Sequence, residues 1–261
     1  MRFHFLGTGT STGVPQIGCH CPVCSSNDPN DRRFRSSVLW ETAKGLVLID
    51  CGPDFRSQML ALPPSVREQP IRAVLLTHEH YDHVGGLDDL RPYCQYGPID
   101  IYADKLCAAH QKERMPYCFV ENKYPGVPDI HLHTLQSHQT FTICDEKIEP
   151  FTVWHGRLPI TAYRQGKRWA YITDMSRLPE SEIPHLKGLS LLVINALRIT
   201  PHPSHQTLGE ALALVETLHP AKTYLIHASH QMGLHAEISA QLPPNVHLAH
   251  DGLVIDLPQT E

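Results

Sequence analysis

Residues 73–90 read AVLLTHEHYDHVGGLDDL. The apolar run 73–76 passes without a break into His78, His80, Asp82 and His83, and Gly85-Gly86 follows as the expected opening of a helix. A short continuous apolar run predicts a strand buried on both faces. The polar groups that follow therefore sit at the carboxyl end of a strand, where sites in such sheets form. In extended chain, residues two apart point the same way. His78 and His80 can thus grip one metal ion, while Asp82 and His83, after a turn, can face a second. Neutral imidazole and carboxylate suit Zn²⁺, Mn²⁺ or Fe. Packing such groups behind an apolar strand costs free energy unless something binds there.

Working outward, runs rich in Val, Ile, Leu, Tyr and Phe recur at 2–6, 37–40, 46–49, 169–172, 191–194 and 224–226. Each is bounded by Gly, Pro or Asp and reads as a strand. Residues 208–218 have helical periodicity, with Leu208, Ala211, Leu212 and Val215 on one face. Thr207 and Glu210 form a capping-box pattern at its start. A second helix is expected over 104–118, and the Pro-containing stretch 116–130 as an insertion or loop. Strands occur both as near neighbours (37–40 and 46–49, split by Lys-Gly) and separated by helices. That mixture predicts an α/β, or α+β, sandwich rather than a simple doubly wound sheet. One domain over 1–261 is expected, long enough to bury its core without disulfides.

The formal net charge of −5 argues against a broad grip on long nucleic acid. It leaves room for a small anionic substrate, because bound metal ions can be the largest local charges in a site. No secretory apolar segment and no run of membrane-span length is visible, so a cytoplasmic protein without a membrane partner is expected. Eight cysteines then need a role other than disulfides. Cys19, Cys21 and Cys24 form C-x-C-x₂-C, which reads as metal-binding. A closed tetrahedral zinc site needs a fourth ligand, and His230, three residues after His227, is the candidate. Cys51, Cys94, Cys107, Cys118 and Cys144 lack ligand spacing and read as small core residues.

The H-x-H-x-D-H run resembles the signature of the metallo-β-lactamase superfamily. The resemblance covers essentially the whole chain, because later landmarks fall in order. His155 lies in PFTVWHGRLPITAYR between two strand-like runs, Asp174 ends a strand in WAYITDMSRL, and His227 ends another in TYLIHASH. It implies an αββα sandwich, with His78, His80 and His155 on one metal, Asp82, His83 and His227 on the other, and Asp174 bridging. Asp50, in LVLIDCGPDF, falls in an Asp-x-Gly turn that the family keeps near the metals. Either it fixes a ligating histidine or it is a plain turn residue.

The opening TGT…GVP…C-x-C-x₂-C segment and the loop His227-Ala228-Ser229-His230 are similar to the branch containing PhnP, a phosphodiesterase of bacterial phosphonate breakdown. This implies two catalytic divalent metals (Zn or Mn), a structural Zn on Cys19, Cys21, Cys24 and His230, and a homodimer. The implied reaction is hydrolysis of a small cyclic ribose or nucleotide phosphodiester by a metal-bridging hydroxide, with Asp82 holding or accepting the nucleophile's proton. His205, in PHPSHQTLGEAL, is the expected contact to the phosphate or leaving group, the alternative being a solvent-exposed loop histidine. The helix N-terminus behind it would offer N–H groups to phosphate. His202 is its neighbour, and Arg198 reads as a phosphate contact or a surface residue. Segment 104–130 is longer and differently composed than in close PhnP relatives. Thioester or lactone hydrolysis, and tRNA 3′-end processing, are the alternatives on this fold.

Overall fold

Strands that are apolar at every position need two apolar faces to bury. Successive side chains of a strand point to opposite sides, so each such strand divides its residues between two cores. That division organises this protein, for which a computed structural model describes residues 1–257.

One sheet is built from β1 (Arg2–Gly7), β2 (Ser37–Thr42), β3 (Gly45–Ile49), β4 (Ile71–Leu75), β5 (Ile99–Ala103) and β6 (Ile130–Thr134). The other is built from β7 (Phe141–Ile143), β8 (Glu146–His155), β9 (Leu158–Gln165), β10 (Trp169–Ile172), β11 (Leu191–Asn195), β12 (Thr223–Ile226) and β13 (Val246–Leu248). The last strand, β14 (Val254–Asp256), returns to the first sheet. Among the described residues the two strand orders are β14-β1-β2-β3-β4-β5-β6 and β13-β12-β11-β10-β9-β8-β7. Both sheets are mixed: β3 to β6 run parallel, as do β10 to β13, and the remaining pairs are antiparallel.

Val47 and Ile49 of β3, Leu75 of β4, Tyr171 of β10 and Val193 of β11 meet between the sheets. Their strand neighbours face outward. Leu46, Leu48 and Val74 lie under α1 (Phe55–Ala61), α2 (Pro64–Arg67), α3 (Tyr81–Val84) and α4 (Lys105–Arg114). Leu192, Ile194 and Leu225 lie under α5 (Ile183–Leu186), α6 (Leu208–Leu218) and α7 (His235–Ser239). The layers are therefore helix, sheet, sheet, helix, the expected αββα sandwich. Among the described residues no helix is long and apolar enough to cross a membrane.

Three elements take their exact bounds from glycine or proline. Gly85-Gly86 opens a helix, as expected, but also closes one: Gly86 caps the start of the 3₁₀ helix Leu87–Tyr96, while α3 starts at Tyr81, so Asp82 and His83 lie on a helical turn whose C-cap is Gly85. The helix expected over 104–118 stops at Arg114, and Pro116 starts a separate 3₁₀ turn, because proline disfavours helix at the residue before it. The strand-like run before His155 is β8, and it extends back through Pro150 to Glu146. Its partner β7 covers only Glu146, Lys147 and Ile148, so no ladder N–H is required of Pro150.

The centre of the inter-sheet core is aromatic. Trp40 and Trp169 meet edge to face at 5.3 Å, and Phe3 lies 6.3 and 5.2 Å from them. Such pairs add to area burial. Trp169 is fully buried and donates its Nε1–H to Gln165 Oε1 at 2.9 Å. We expect Trp169→Ala to lower the unfolding free energy by about 3–5 kcal/mol, read from the urea midpoint.

Candidate metal centre

Parallel strands carry their carboxyl ends to one edge of the sandwich. There β3 ends before Asp50, β4 before Thr77 and His78, β10 before Thr173 and Asp174, and β12 before His227. Strand β8, antiparallel to β9 and so parallel to β10, ends on His155. The two sheets are tied at this edge. Thr161 N–H donates to Thr77 O at 2.8 Å and Tyr163 O–H to Leu76 O at 2.6 Å. Asp50, Asp174 and His227 have φ of 60°, 56° and 59°. Left-handed backbone costs a residue with a side chain about 1–3 kcal/mol, so three sharp turns at one edge hold these side chains against strain.

The predicted residues come together in two sets. His78, His80 and His155 present ligand atoms within 4.8 Å of one another, as do Asp82, His83, Asp174 and His227. Asp174 also groups with His155 and His205, which puts it between the sets. His83 Nε2 lies 3.1 Å from Asp82 Oδ2 and 3.2 Å from Asp174 Oδ2, and His227 Nε2 lies 3.0 Å from Asp174 Oδ1. Yet both these ring nitrogens are buried without a hydrogen bond. Donors that converge without satisfying one another fit a divalent cation between them.

The charge balance fits as well. Burial works to raise Asp82 and Asp174. For Asp82 the attraction of His83 outweighs it, and for Asp174 that of His227 and His83, so both carboxyls lie below their ordinary range. Burial disfavours charge on the two imidazoles too, but Asp82 and Asp174 lift His83 far above its ordinary value, and Asp174 carries His227 to about 9. Without a metal, protons balance the carboxylates; a divalent cation replaces them and leaves neutral ligands. His78 is held well below its ordinary value by burial and by His83.

Neighbours fix the ring orientations. Asp50, fully buried, accepts from His83 Nδ1–H at 2.7 Å and from the Thr77 N–H and hydroxyl at 2.8 Å each. The same Thr77 hydroxyl lies 3.0 Å from His78 Nδ1. His155 Nδ1–H donates to Ser204 O at 2.7 Å. Each bond occupies Nδ1 and leaves Nε2 for the centre, as outer partners of metal-ligating histidines do. Of the two readings of Asp50, the hydrogen bond to His83 is the one observed. Gly52 supplies the close approach: a Cβ there would lie 2.1 Å from Asp82 O.

His205 is mostly buried, against His155 at 4.5 Å and His227 at 5.0 Å between ring centroids, with Nδ1 3.8 Å from Asp174 Oδ1. Burial, with His227, lowers it to about 3. It is not a solvent-exposed loop histidine. The helix behind it is not open to phosphate, contrary to expectation. Glu210 accepts from Thr207 N–H, Thr207 Oγ1 accepts from Glu210 N–H, and Leu208 N–H donates to Arg198 O. The capping box that marks the helix in sequence thus closes its N-terminus. Arg198 donates to Gln231, Thr200 O and Pro201 O, so it pins the loop.

A second cluster gathers Cys19, Cys21, Cys24 and His230 within 4.8 Å. Cys19 Sγ and Cys21 Sγ lie 3.5 and 3.3 Å from His230 Nδ1. The Cys24 N–H, and after it His230, lower Cys21 to about 6, whereas burial raises Cys24 to about 11. Three reduced thiols and an imidazole fit a tetrahedral zinc. The segment after β1 that leads to the Cys loop is joined to the His227 loop by Thr10 N–H to Ala228 O at 3.1 Å and Ala228 N–H to Thr8 O at 3.0 Å. Cys51, Cys107 and Cys118 are buried, as expected, while Cys94 and Cys144 are half-buried. Thr77 and Ser204 escaped the sequence reading: a hydroxyl beside a histidine and a backbone carbonyl carry no motif.

Residues 46–228 match the family model described as a beta-lactamase superfamily domain. The chain is 45% identical over 255 residues to a Porphyromonas gingivalis protein named octanoyltransferase, covering 97% of this chain and 51% of that one. It therefore spans about half the length of that relative. It is 40% identical over 220 residues to the coenzyme PQQ synthesis protein B of Methylobacterium radiotolerans, covering 75% of this chain and 72% of that one. Among solved structures it resembles a new diphosphatase from the PhnP family, at 40% identity and a TM-score of 0.87, covering 98% and 97% of the two chains.

Two outcomes are expected of the donor clusters. Asp50→Ala frees the His83 ring and lowers metal affinity about 10–100-fold, measured by chelator competition; unchanged affinity would reduce Asp50 to a turn residue. Cys21→Ser removes a thiolate ligand, so the protein should bind one metal ion fewer per chain by elemental analysis.

Proposed function

This chain belongs to the metallo-β-lactamase superfamily, in its PhnP-like branch, and from that premise we propose that it is a two-metal phosphodiesterase acting on a small cyclic ribose or nucleotide phosphodiester. The coarser statement, a hydrolase of this superfamily, comes with the membership. The observation that carries the finer one is Asp174 lying between two donor sets, with His205 against it. In this reading His78, His80 and His155 hold one ion, Asp82, His83 and His227 the other, and Asp174 serves both; Zn and Mn suit the donors. A pair of divalent ions there supplies Lewis-acid charge and a water acidic enough to attack at neutral pH.

The chain's own residues do the rest. Asp50 and Ser204 O keep His83 and His155 in one tautomer. Asp82, whose side chain is less buried than that of Asp174, takes the proton of the attacking water. His205 turns an imidazole nitrogen into the centre, where it meets a phosphoryl or leaving oxygen. The similarity to a PhnP-family diphosphatase supports phosphorus as the atom attacked. The net charge of −5 favours a small substrate over tRNA, and a cytoplasmic setting keeps the cysteines reduced for a structural zinc. A second reading, hydrolysis of an acyl thioester or lactone at the same centre, draws on the octanoyltransferase name of a relative of which this chain matches half.

Metal analysis with paired substrates separates these readings. We expect about three ions per chain, two at the dimetal centre and one at the cysteines, and hydrolysis of bis(p-nitrophenyl) phosphate that Asp174→Ala abolishes. His205→Ala should lower diesterase kcat about 10²–10⁴-fold. Cleavage of a p-nitrophenyl thioester with no diesterase activity would replace the first reading with the second.

A further inference from the structure

Helix α3 has a face that the metal centre leaves free. Residues turn by about 100° each along a helix. With Asp82 and His83 directed into the centre, Tyr81 and Val84 point elsewhere. They wall a recess of about 420 Å³ against the end of α4, which Gln111, Arg114, Met115 and Tyr117 complete. That volume is in the range of small-molecule sites. The recess begins on the residue between His80 and Asp82, about 3.8 Å along the chain from each Cα.

Its chemistry is selective. Tyr81 is 64% exposed, and its ring lies over Gly85, where a Cβ would come within 2.8 Å of two ring carbons. Asp88, which also lines the recess, accepts from Tyr117 O–H at 2.8 Å and pairs with Arg91 at 2.6 Å, so its charge is matched. Arg114 has no ion pair or hydrogen bond among the described residues. Gln111, 2% exposed, donates its amide to Cys107 Sγ at 3.8 Å and so forms the floor rather than a free contact. An open aromatic face beside an unmatched guanidinium recognises a flat, polar-edged ring. Arg114 and Tyr117 also belong to the segment 104–130 that the sequence sets apart from close PhnP relatives.

The geometry points to this recess as a nucleobase subsite: the base of a nucleotide substrate stacks on Tyr81 beside Arg114, while its phosphate reaches the donors across His80 and Asp82. This rests on the phosphodiesterase reading and narrows it from a bare cyclic sugar phosphate to a nucleotide.

Titration calorimetry on the full chain, supplied with Zn²⁺ or Mn²⁺, tests it with AMP, UMP and ribose 5-phosphate. At least one nucleotide should bind about tenfold more tightly than ribose 5-phosphate. Tyr81→Ala and Arg114→Ala should each shrink that ratio severalfold. Tyr81→Phe should keep it, because stacking needs the ring and not the hydroxyl, and Lys112→Ala, exposed on α4 outside the recess, should leave it unchanged. Equal affinity for all three in the parent chain, or a ratio that survives Tyr81→Ala, overturns the subsite. If bis(p-nitrophenyl) phosphate is still hydrolysed in that case, the phosphodiesterase reading stands without it. Absence of both hydrolysis and phosphate binding sinks the two together.

Discussion

Asp82 and Asp174 reach for the same two imidazoles in a place almost closed to water. Carboxylates so buried are costly to desolvate and repel each other. Their charge has to be met inside the protein, by protons on His83 and His227 or by cations in their place. Everything around the pair limits how that charge can be met. Asp50 takes one nitrogen of His83, the Ser204 carbonyl takes one of His155, and the Thr77 hydroxyl lies against one of His78. The opposite nitrogens are left facing a common centre, where His78 Nε2 lies 2.9 Å from His80 Nδ1.

Holding that arrangement is the task of the sheets. Five strand ends from two sheets deliver Asp50, His78, His155, Asp174 and His227 to one edge, and the inter-sheet core behind them, with Trp40 and Trp169 at its middle, sets the spacing. Three left-handed residues at this edge cost free energy locally. A packed core resists the relaxation that would relieve them. Cys19 and Cys21 meet His230, three residues beyond His227, so an ion there would stiffen one wall of the centre as well as its own loop.

Much of this was legible in the chain. Apolar runs marked the central strands because those strands are buried on both faces. The histidines and aspartates were legible because they follow such runs directly. The edge strand β6 was not, because exposed His131 and His133 alternate along it with Ile130 and Leu132. The Gly85-Gly86 pair marked the start of the 3₁₀ helix Leu87–Tyr96 but not the short helix it closes, since glycine serves a helix end as readily as a turn before one. The capping box of Thr207 and Glu210 correctly marked a helix, yet it also closed the N-terminus expected to bind phosphate.

The sequence by itself determined which groups are available and where along the chain each strand delivers them, because periodicity, capping and donor spacing are local properties. Tertiary structure decided which groups meet. The bond from His155 to the Ser204 carbonyl spans 49 residues and that from His83 to Asp50 spans 33. Such contacts depend on strand order and on how two sheets stack. The recess beside Tyr81 was settled in the same way, since an exposed tyrosine and an unmatched arginine become neighbours only when α4 packs beside α3.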